Sequence, residues 1–131
     1  MAKLTYEMRC MLGEQIPIVV TASKDGIPNG APKGSLKILD DETLHFAEGT
    51  AQKTYRNLQE NPKVSVIVVD RPNMDGYQFK GTAELLYDGD LYETTRRKAV
   101  QHRRPVPTCV VKVHVEEIYS IKPRMTAKPI A

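Results

Sequence analysis

Residues 16–48 read IPIVVTASKDGIPNGAPKGSLKILDDETLHFAE. The first eight are rich in Ile, Val and Thr, and Lys24-Asp25-Gly26 follows them. Asp-Gly supplies the positive φ angles that tight hairpin turns need, so this stretch predicts a β-hairpin. The returning strand spans residues 27–39, but Pro28, Gly30, Pro32 and Gly34 interrupt its first half. Proline cannot donate to a ladder and glycine marks bulges, so that half is expected at an edge or bulged, and residues 35–39 are expected to be regular. Asp40-Asp41 makes a further turn. Residues 43–48 then alternate Leu44 and Phe46 against His45, as a strand with one buried face does.

Outward from this core, Leu4, Met8, Met11 and Leu12 recur at helical spacing, predicting a packing helix over residues 4–14 that Gly13 and Pro17 end. Downstream, residues 50–61 read as a helix with Thr50 as N-cap and Asn61-Pro62 as its stop. Residues 63–70, with Val64, Val66, Ile67, Val68 and Val69, predict a central strand apolar on both faces. Residues 77–87 place Tyr77, Phe79, Gly81, Ala83, Leu85 and Tyr87 in one phase of a long strand. Asp90 with Glu93 resembles a capping box opening a helix that runs to about His102, with Pro105 and Pro107 behind it. A last strand over residues 109–121 alternates Cys109, Val111, Val113 and Val115 against Lys112, His114 and Glu116. The tail is residues 123–131. Six strands joined mostly by hairpins predict a mainly β fold, a six-stranded antiparallel barrel with short flanking helices, in a single domain over residues 1–131.

The 131 residues are 40% hydrophobic and 27% charged, with a net charge of +3, which is ordinary for a globular domain and excludes disorder. No apolar run reaches the roughly 20 residues that cross a bilayer, and the N-terminus lacks a signal-like stretch, so a soluble, cytoplasmic protein is expected. Cys10 and Cys109 stand alone and His45, His102 and His114 are scattered, so no metal site is expected. There is no GxGxxG after a strand, no GxxxxGK[ST], no HExxH and no GxSxG. No side chain is marked as an activated nucleophile or as an acid–base pair. Any redox chemistry therefore belongs to a cofactor.

The first turn of the helix over residues 50–61 is the most informative anomaly. A helix N-terminus carries roughly half a positive charge and favours Asp or Glu nearby. Here it reads Ala51-Gln52-Lys53, and no acidic residue occurs from 51 to 59. An anion from outside reverses the sign: backbone N–H groups, the Lys53 ammonium and the Thr54 hydroxyl together suit a phosphate. The other basic cluster, Arg96-Arg97-Lys98 with Arg103-Arg104, lies late in its helix, where it complements the dipole and reads as a solvated face. Aromatic residues are not interleaved with it, so nucleic acid is not an expected partner.

The segments IPIVVTASKDGIPNGAPKGSLKIL and LHFAEGTAQKTYRNLQENPKVSVIV, and the spacing between them, resemble the FMN-binding split-barrel family related to pyridoxamine 5′-phosphate oxidase, most nearly its small single-domain FMN-binding proteins. The resemblance covers residues 16–86. It implies a homodimer of six-stranded split barrels with an FMN in each of two clefts at the interface. On the family pattern Gln52, Lys53 and Thr54 hold the phosphate. Ala31, Pro32, Lys33, Gly34 and Ser35 lie along the flavin and its ribityl chain, and Phe46, Ala47 and Glu48 line the cleft through backbone contacts. The oxidase branch's arginine- and tyrosine-rich substrate cluster and arginine-rich C-terminal extension are missing, which counts against pyridoxamine phosphate as substrate. Pro32 stands where relatives can carry an aromatic residue, so stacking on the flavin from there is not expected. The resemblance implies a flavin-dependent oxidoreductase served by NAD(P)H or a redox protein. Its alternatives are a non-enzymatic electron carrier, or a related barrel holding deazaflavin or heme. The tail is expected near the partner's cleft.

Overall fold

The computed structural model describes residues 2–49, 52–123 and 129–131. In chain order the elements are α1 (Tyr6–Glu14), β1 (Ile18–Ala22), β2 (Pro28–Pro32), β3 (Lys37–Asp40), β4 (Thr43–Glu48), α2 (Lys53–Glu60), β5 (Lys63–Asp70), β6 (Asp75–Leu86), α3 (Gly89–Gln101) and β7 (Cys109–Ser120). The strands form one antiparallel sheet in the order β2-β1-β5-β6-β7-β4-β3.

The hairpin forms as its sequence requires. Gly26 has φ 86°, and β1 pairs with β2 from Ile18 opposite Pro32 to Ala22 opposite Pro28. The six-strand expectation needs correction to seven, because the strand expected over residues 27–39 is broken. Pro32 has no N–H to continue a ladder, the Lys33 N–H turns back to the Pro17 carbonyl at 3.0 Å, and Leu36 N–H closes a turn on the Lys33 carbonyl at 3.1 Å. The two halves, β2 and β3, become the opposite edges of the sheet.

That placement fixes the sheet's shape. Five Cα steps from Pro32 to Lys37 reach about 18 Å at most, whereas six strand spacings laid flat measure about 29 Å. The sheet must curl until its two edges approach, with residues 33–36 as a strap across the opening. It is an open, curled sheet rather than a closed barrel.

Its concave side holds the core: Val19, Leu44, Phe46, Val66, Val68, Phe79, Val111, Val113, Val115 and Ile118 are all 0% exposed. Each such side chain contributes about 1.5 to 3 kcal/mol of burial free energy. The central place of β5 matches its sequence, between β1 and β6, but only its Val64, Val66, Val68 phase is buried. Ile67 is half-buried and Val69 is exposed on the convex side. Between β6 and β7 the register slips: Lys80 faces Glu117 while Gly81 faces Val115, so β7 carries one extra residue. This bulge leaves Glu116 and Glu117 both outside and returns Ile118 to the core. Gly81 is there because a Cβ would stand 2.1 Å from the His114 carbonyl oxygen.

The helices close the ends. Helix α1 begins later than expected, with Thr5 as N-cap: the Thr5 hydroxyl accepts the Met8 N–H at 3.3 Å and the Met8 sulfur accepts the Thr5 N–H. Met8, Met11 and Leu12 face the core, and Leu4 is buried in the extended lead-in. The expected Asp90 capping box does not form, since α3 starts from Asp88 as N-cap and Asp90 falls inside the first turn. Helix α3 buries no side chain fully and is tied down by the Tyr92 hydroxyl, which donates to the Pro107 carbonyl at 2.9 Å.

Candidate functional site

Helix α2 seats itself on β1 through two buried polar groups, the Asn57 amide donating to the Thr21 hydroxyl at 3.1 Å, with Leu58 buried beside them. Its N-terminal end faces β2, where the Asn29 amide reaches the Thr54 hydroxyl at 3.5 Å. The predicted N-cap, Thr50, lies outside the described residues. The described N-cap is Gln52, so Lys53 is the first helical residue rather than the third, and Thr54 the second. Gln52 makes no side-chain cap hydrogen bond and the first turn holds no acidic residue. N–H groups of that turn lack intrahelical partners, and the dipole there is positive. Thr54 is buried, while Lys53 reaches outward.

Opposite this helix end lies a cavity of about 230 Å³ that brings Gln52, Lys53 and Thr54 together with Ala31, Lys33 and Glu48. Asn29 and Gly30 of β2 complete it. Its wall contains a buried ion pair: the Lys33 ammonium lies 2.5 Å from Glu48 Oε1 and 3.3 Å from Oε2. The side chains are 16% and 1% exposed. The ammonium also sits 5.6 Å from the centroid of the Phe46 ring. The Glu48 backbone carbonyl accepts the Thr108 N–H at 2.7 Å, which anchors the end of β4. Burial and the adjacent Glu48 carboxylate push the neighbouring Cys109 thiol up to about 11, so it stays protonated.

Gly34, Ser35 and Ala47 line a second cavity of about 280 Å³, on the other side of the strap. The Ser35 hydroxyl stitches strap to sheet, accepting the Ala47 N–H at 3.2 Å and donating to its carbonyl at 3.4 Å. His45, Lys98 and Arg104 bring positive charge to this cavity. His45 is held below its ordinary pKa by burial first, then by Lys37 and Lys98. Two members of the basic cluster therefore face a cavity, while Arg96, Arg97 and Arg103 are exposed as a solvated face would be. Pro32 stays exposed on the edge strand, and the Phe46 side chain is wholly in the core. A larger cavity, about 400 Å³ between the end of α1 and β3, contains none of Gln52, Lys53 and Thr54.

Asn29, Gly30 and the His45–Lys98–Arg104 group were not singled out from sequence as site residues. Asn29 and Gly30 directly precede the stretch 31–35 on β2, whereas no spacing marks His45, Lys98 and Arg104, which come from separate elements. Among the described residues no group of three or more His, Cys, Asp or Glu is placed to hold a metal ion. No described helix is long and apolar enough to cross a membrane.

The family model described as pyridoxamine 5′-phosphate oxidase matches residues 4–122. The chain is 37% identical over 125 residues to the uncharacterized protein MJ0282 of Methanocaldococcus jannaschii, covering 92% of this chain and 82% of that one. Among solved structures it is similar to HupZ of Group A Streptococcus, with 36% identity, a TM-score of 0.86, and coverage of 95% of this chain and 99% of that one. An FMN-binding protein from Syntrophomonas wolfei shares the fold at 19% identity, with a TM-score of 0.73 over 86% of this chain and 82% of that one.

Proposed function

The chain belongs to the pyridoxamine 5′-phosphate oxidase family, and from that premise we propose that it is a homodimeric FMN-binding protein acting as a flavin-dependent oxidoreductase. The observation that carries this reading is the cavity at the start of α2. There Lys53 and Thr54 stand at a positive helix end with no acidic residue in its first turn. Lys33 has its counter-charge in Glu48, whereas none of the ion pairs among the described residues includes Lys53. A phosphate group supplies what this helix end lacks: acceptors for its N–H groups and a negative charge beside Lys53.

FMN, when bound, supplies hydride and electron transfer through its ring. The chain's residues do the rest. Gln52, Lys53, Thr54 and the first-turn amides bind the phosphate, and the strap over residues 33–36, pinned by Ser35 to β4, lies along the remainder of the cofactor. The cavity of about 230 Å³ suits the phosphate and chain of FMN but not its three fused rings as well. In this reading the ring lies beyond the strap, against a second copy of the chain. Half-buried Ile67 and exposed Val69 on the convex side offer that copy an apolar surface. A single-subunit mass by sedimentation at micromolar concentration would remove the dimer.

The second cavity favours an enzyme over a bare electron carrier, because it offers room beside the cofactor segment, and its Lys98 and Arg104 suit an anionic reactant. Visible absorbance of the purified protein, with identification of any chromophore released on heating, tests the cofactor. FMN near one per subunit is the expected result. Lys53→Ala should weaken FMN binding roughly tenfold or more at low salt, the loss of one charge-assisted contact. An unchanged dissociation constant removes the phosphate assignment. Absence of NAD(P)H turnover with any small acceptor would leave the carrier reading.

A further inference from the structure

The cavity of about 280 Å³ on the other side of the strap has no carboxylate among its lining residues. Lys37 comes to it from β3, His45 from β4, Lys98 from α3 and Arg104 from the segment behind α3. None of the ion pairs among the described residues includes Lys37, Lys98 or Arg104. Cations gathered without a counter-charge repel one another, and a small anion reverses that sign. The histidine among them is the one group there whose charge changes near neutral pH. His114 is engaged with Glu84 at 3.0 Å, whereas the His45 ring has no hydrogen-bond partner among the described residues and stands half-buried in the cavity wall. Its cross-strand neighbours are Lys37 on one side and Lys112 on the other. The carboxylate on that row, Glu84 opposite Lys112, is the one that meets His114. Burial, then Lys37 and Lys98, keep the His45 ring neutral at pH 7.

We propose that this cavity takes up a small organic anion together with a proton, and that His45 receives the proton and presents it to the reactant. The anionic group lies among Lys37, Lys98 and Arg104, and its charge removes what keeps the ring neutral. Anion and proton then bind as a pair: an anion beside the ring favours the imidazolium, so by linkage the anion binds more tightly as the pH falls through the titration of His45. The chemistry that follows rests on the enzyme reading above, whereas the paired binding stands without a flavin. Two-electron reduction of a carbon–carbon or carbon–nitrogen double bond adds a hydride to one atom and a proton to the other. NAD(P)H is the source of the hydride, carried by the flavin, and a ring nitrogen of His45 gives the proton and recovers one from solvent.

The test uses inorganic sulfate as the probe, because its own charge stays fixed over the pH range in which histidine titrates. The titration of the His45 ring is followed by proton NMR on the whole protein, with and without sulfate at constant ionic strength, and its signal is identified by its loss in His45→Gln. Sulfate should move the titration of His45 to higher pH, and should bind about tenfold more tightly at about pH 5.5 than at about pH 8. His45→Gln should bind sulfate without that pH dependence. Lys98→Gln/Arg104→Gln, two exposed changes, should abolish the response to sulfate and raise the sulfate-free titration of His45, since the positive charge around the ring is reduced. A titration that sulfate does not move, or a pH dependence that survives in His45→Gln, overturns the role of His45. FMN content is read from the absorbance of the same samples. FMN binding without a His45 response overturns this inference and leaves the flavin reading intact; a His45 response in a protein that takes up no FMN upholds the paired site and overturns the flavin reading.

Discussion

Replacing Lys33 with Met keeps the volume of the side chain and removes its charge, leaving the Glu48 carboxylate 1% exposed and without the one cation paired to it among the described residues. Removing one partner of a buried pair costs about 3 to 5 kcal/mol, because the remaining charge keeps its desolvation penalty and loses its compensation. The contact over Phe46, at 5.6 Å, adds about 0.5 kcal/mol or slightly more. For a chain of 131 residues, 1 kcal/mol corresponds to roughly 3 to 5 °C in Tm, so Lys33→Met should melt about 10 to 20 °C below wild type. The assay is thermal and urea unfolding by circular dichroism, extended to Glu48→Gln and the double variant as a cycle. The double variant should recover most of the loss, with a coupling energy of about 2 kcal/mol or more. A single variant melting within about 3 °C of wild type, or a cycle whose coupling is near zero, would refute the reasoning that this pair is buried and mutually dependent.

Gly81→Ala should lose about 3 kcal/mol, since its Cβ would lie 2.1 Å from the His114 oxygen and 2.9 Å from its carbon, backbone atoms that no rotamer can move aside. Gly34→Ala, with nothing within 4 Å of the added carbon, serves as the control and should change stability by under about 0.5 kcal/mol; equal melting of the two variants would contradict the bulge geometry. His45 is depressed below 6.5 by burial, Lys37 and Lys98. As pH drops below 6.5 the unfolded chain takes up a proton that the native state resists. Its contribution is therefore intact above that pH and is lost progressively down towards the depressed native value. His45→Gln should flatten that part of the urea-derived stability profile, and an unaltered slope would show that the ring is not shielded. Cys109 is 0% exposed with its thiol pushed up to about 11; it should resist alkylation in the native protein at mildly alkaline pH and react only on unfolding, as mass spectrometry of the labelled peptide would show.

Much of the framework was legible because it is local. Asp25-Gly26 specified a hairpin, and the alternation through Phe79 and Val111 to Val115 specified inward faces. The break at residues 33–36 was not, since strand-compatible residues flank it on both sides and the separation of β2 from β3 is a property of the whole sheet. The bulge at Glu116–Glu117 was hidden for a related reason: an extra residue is visible only in the pairing. At the site, the charge rule for helix ends flagged Lys53 and Thr54, and the cavity does contain them together with Gln52, Ala31, Lys33 and Glu48. Which of these bind a ligand is a matter for the experiments above. The Lys33–Glu48 pair, fifteen residues apart on the strap and β4, had no periodic signal to announce it. His45, Lys98 and Arg104 converge from a strand, a helix and a loop, and that meeting is a tertiary event.

Strand order has a consequence for how the chain acquires its shape. Among the described strands β4 pairs with β3 and with β7, and β7 follows all the others in sequence. While the polypeptide is being synthesised, β1, β2, β5 and β6 can pair among themselves, but the β3–β4 hairpin has no strand to join until residues 109–120 have emerged. Such distant pairing makes folding slow relative to chains of local contacts. The cavity wall contributed by β4 is the late-arriving half, and α2 with β2 is the early one. A ligand therefore meets a complete cavity only after the final strand has slotted between β6 and β4, and a nascent chain stalled before residue 109 should offer the helix end alone, without Glu48 seated beside it.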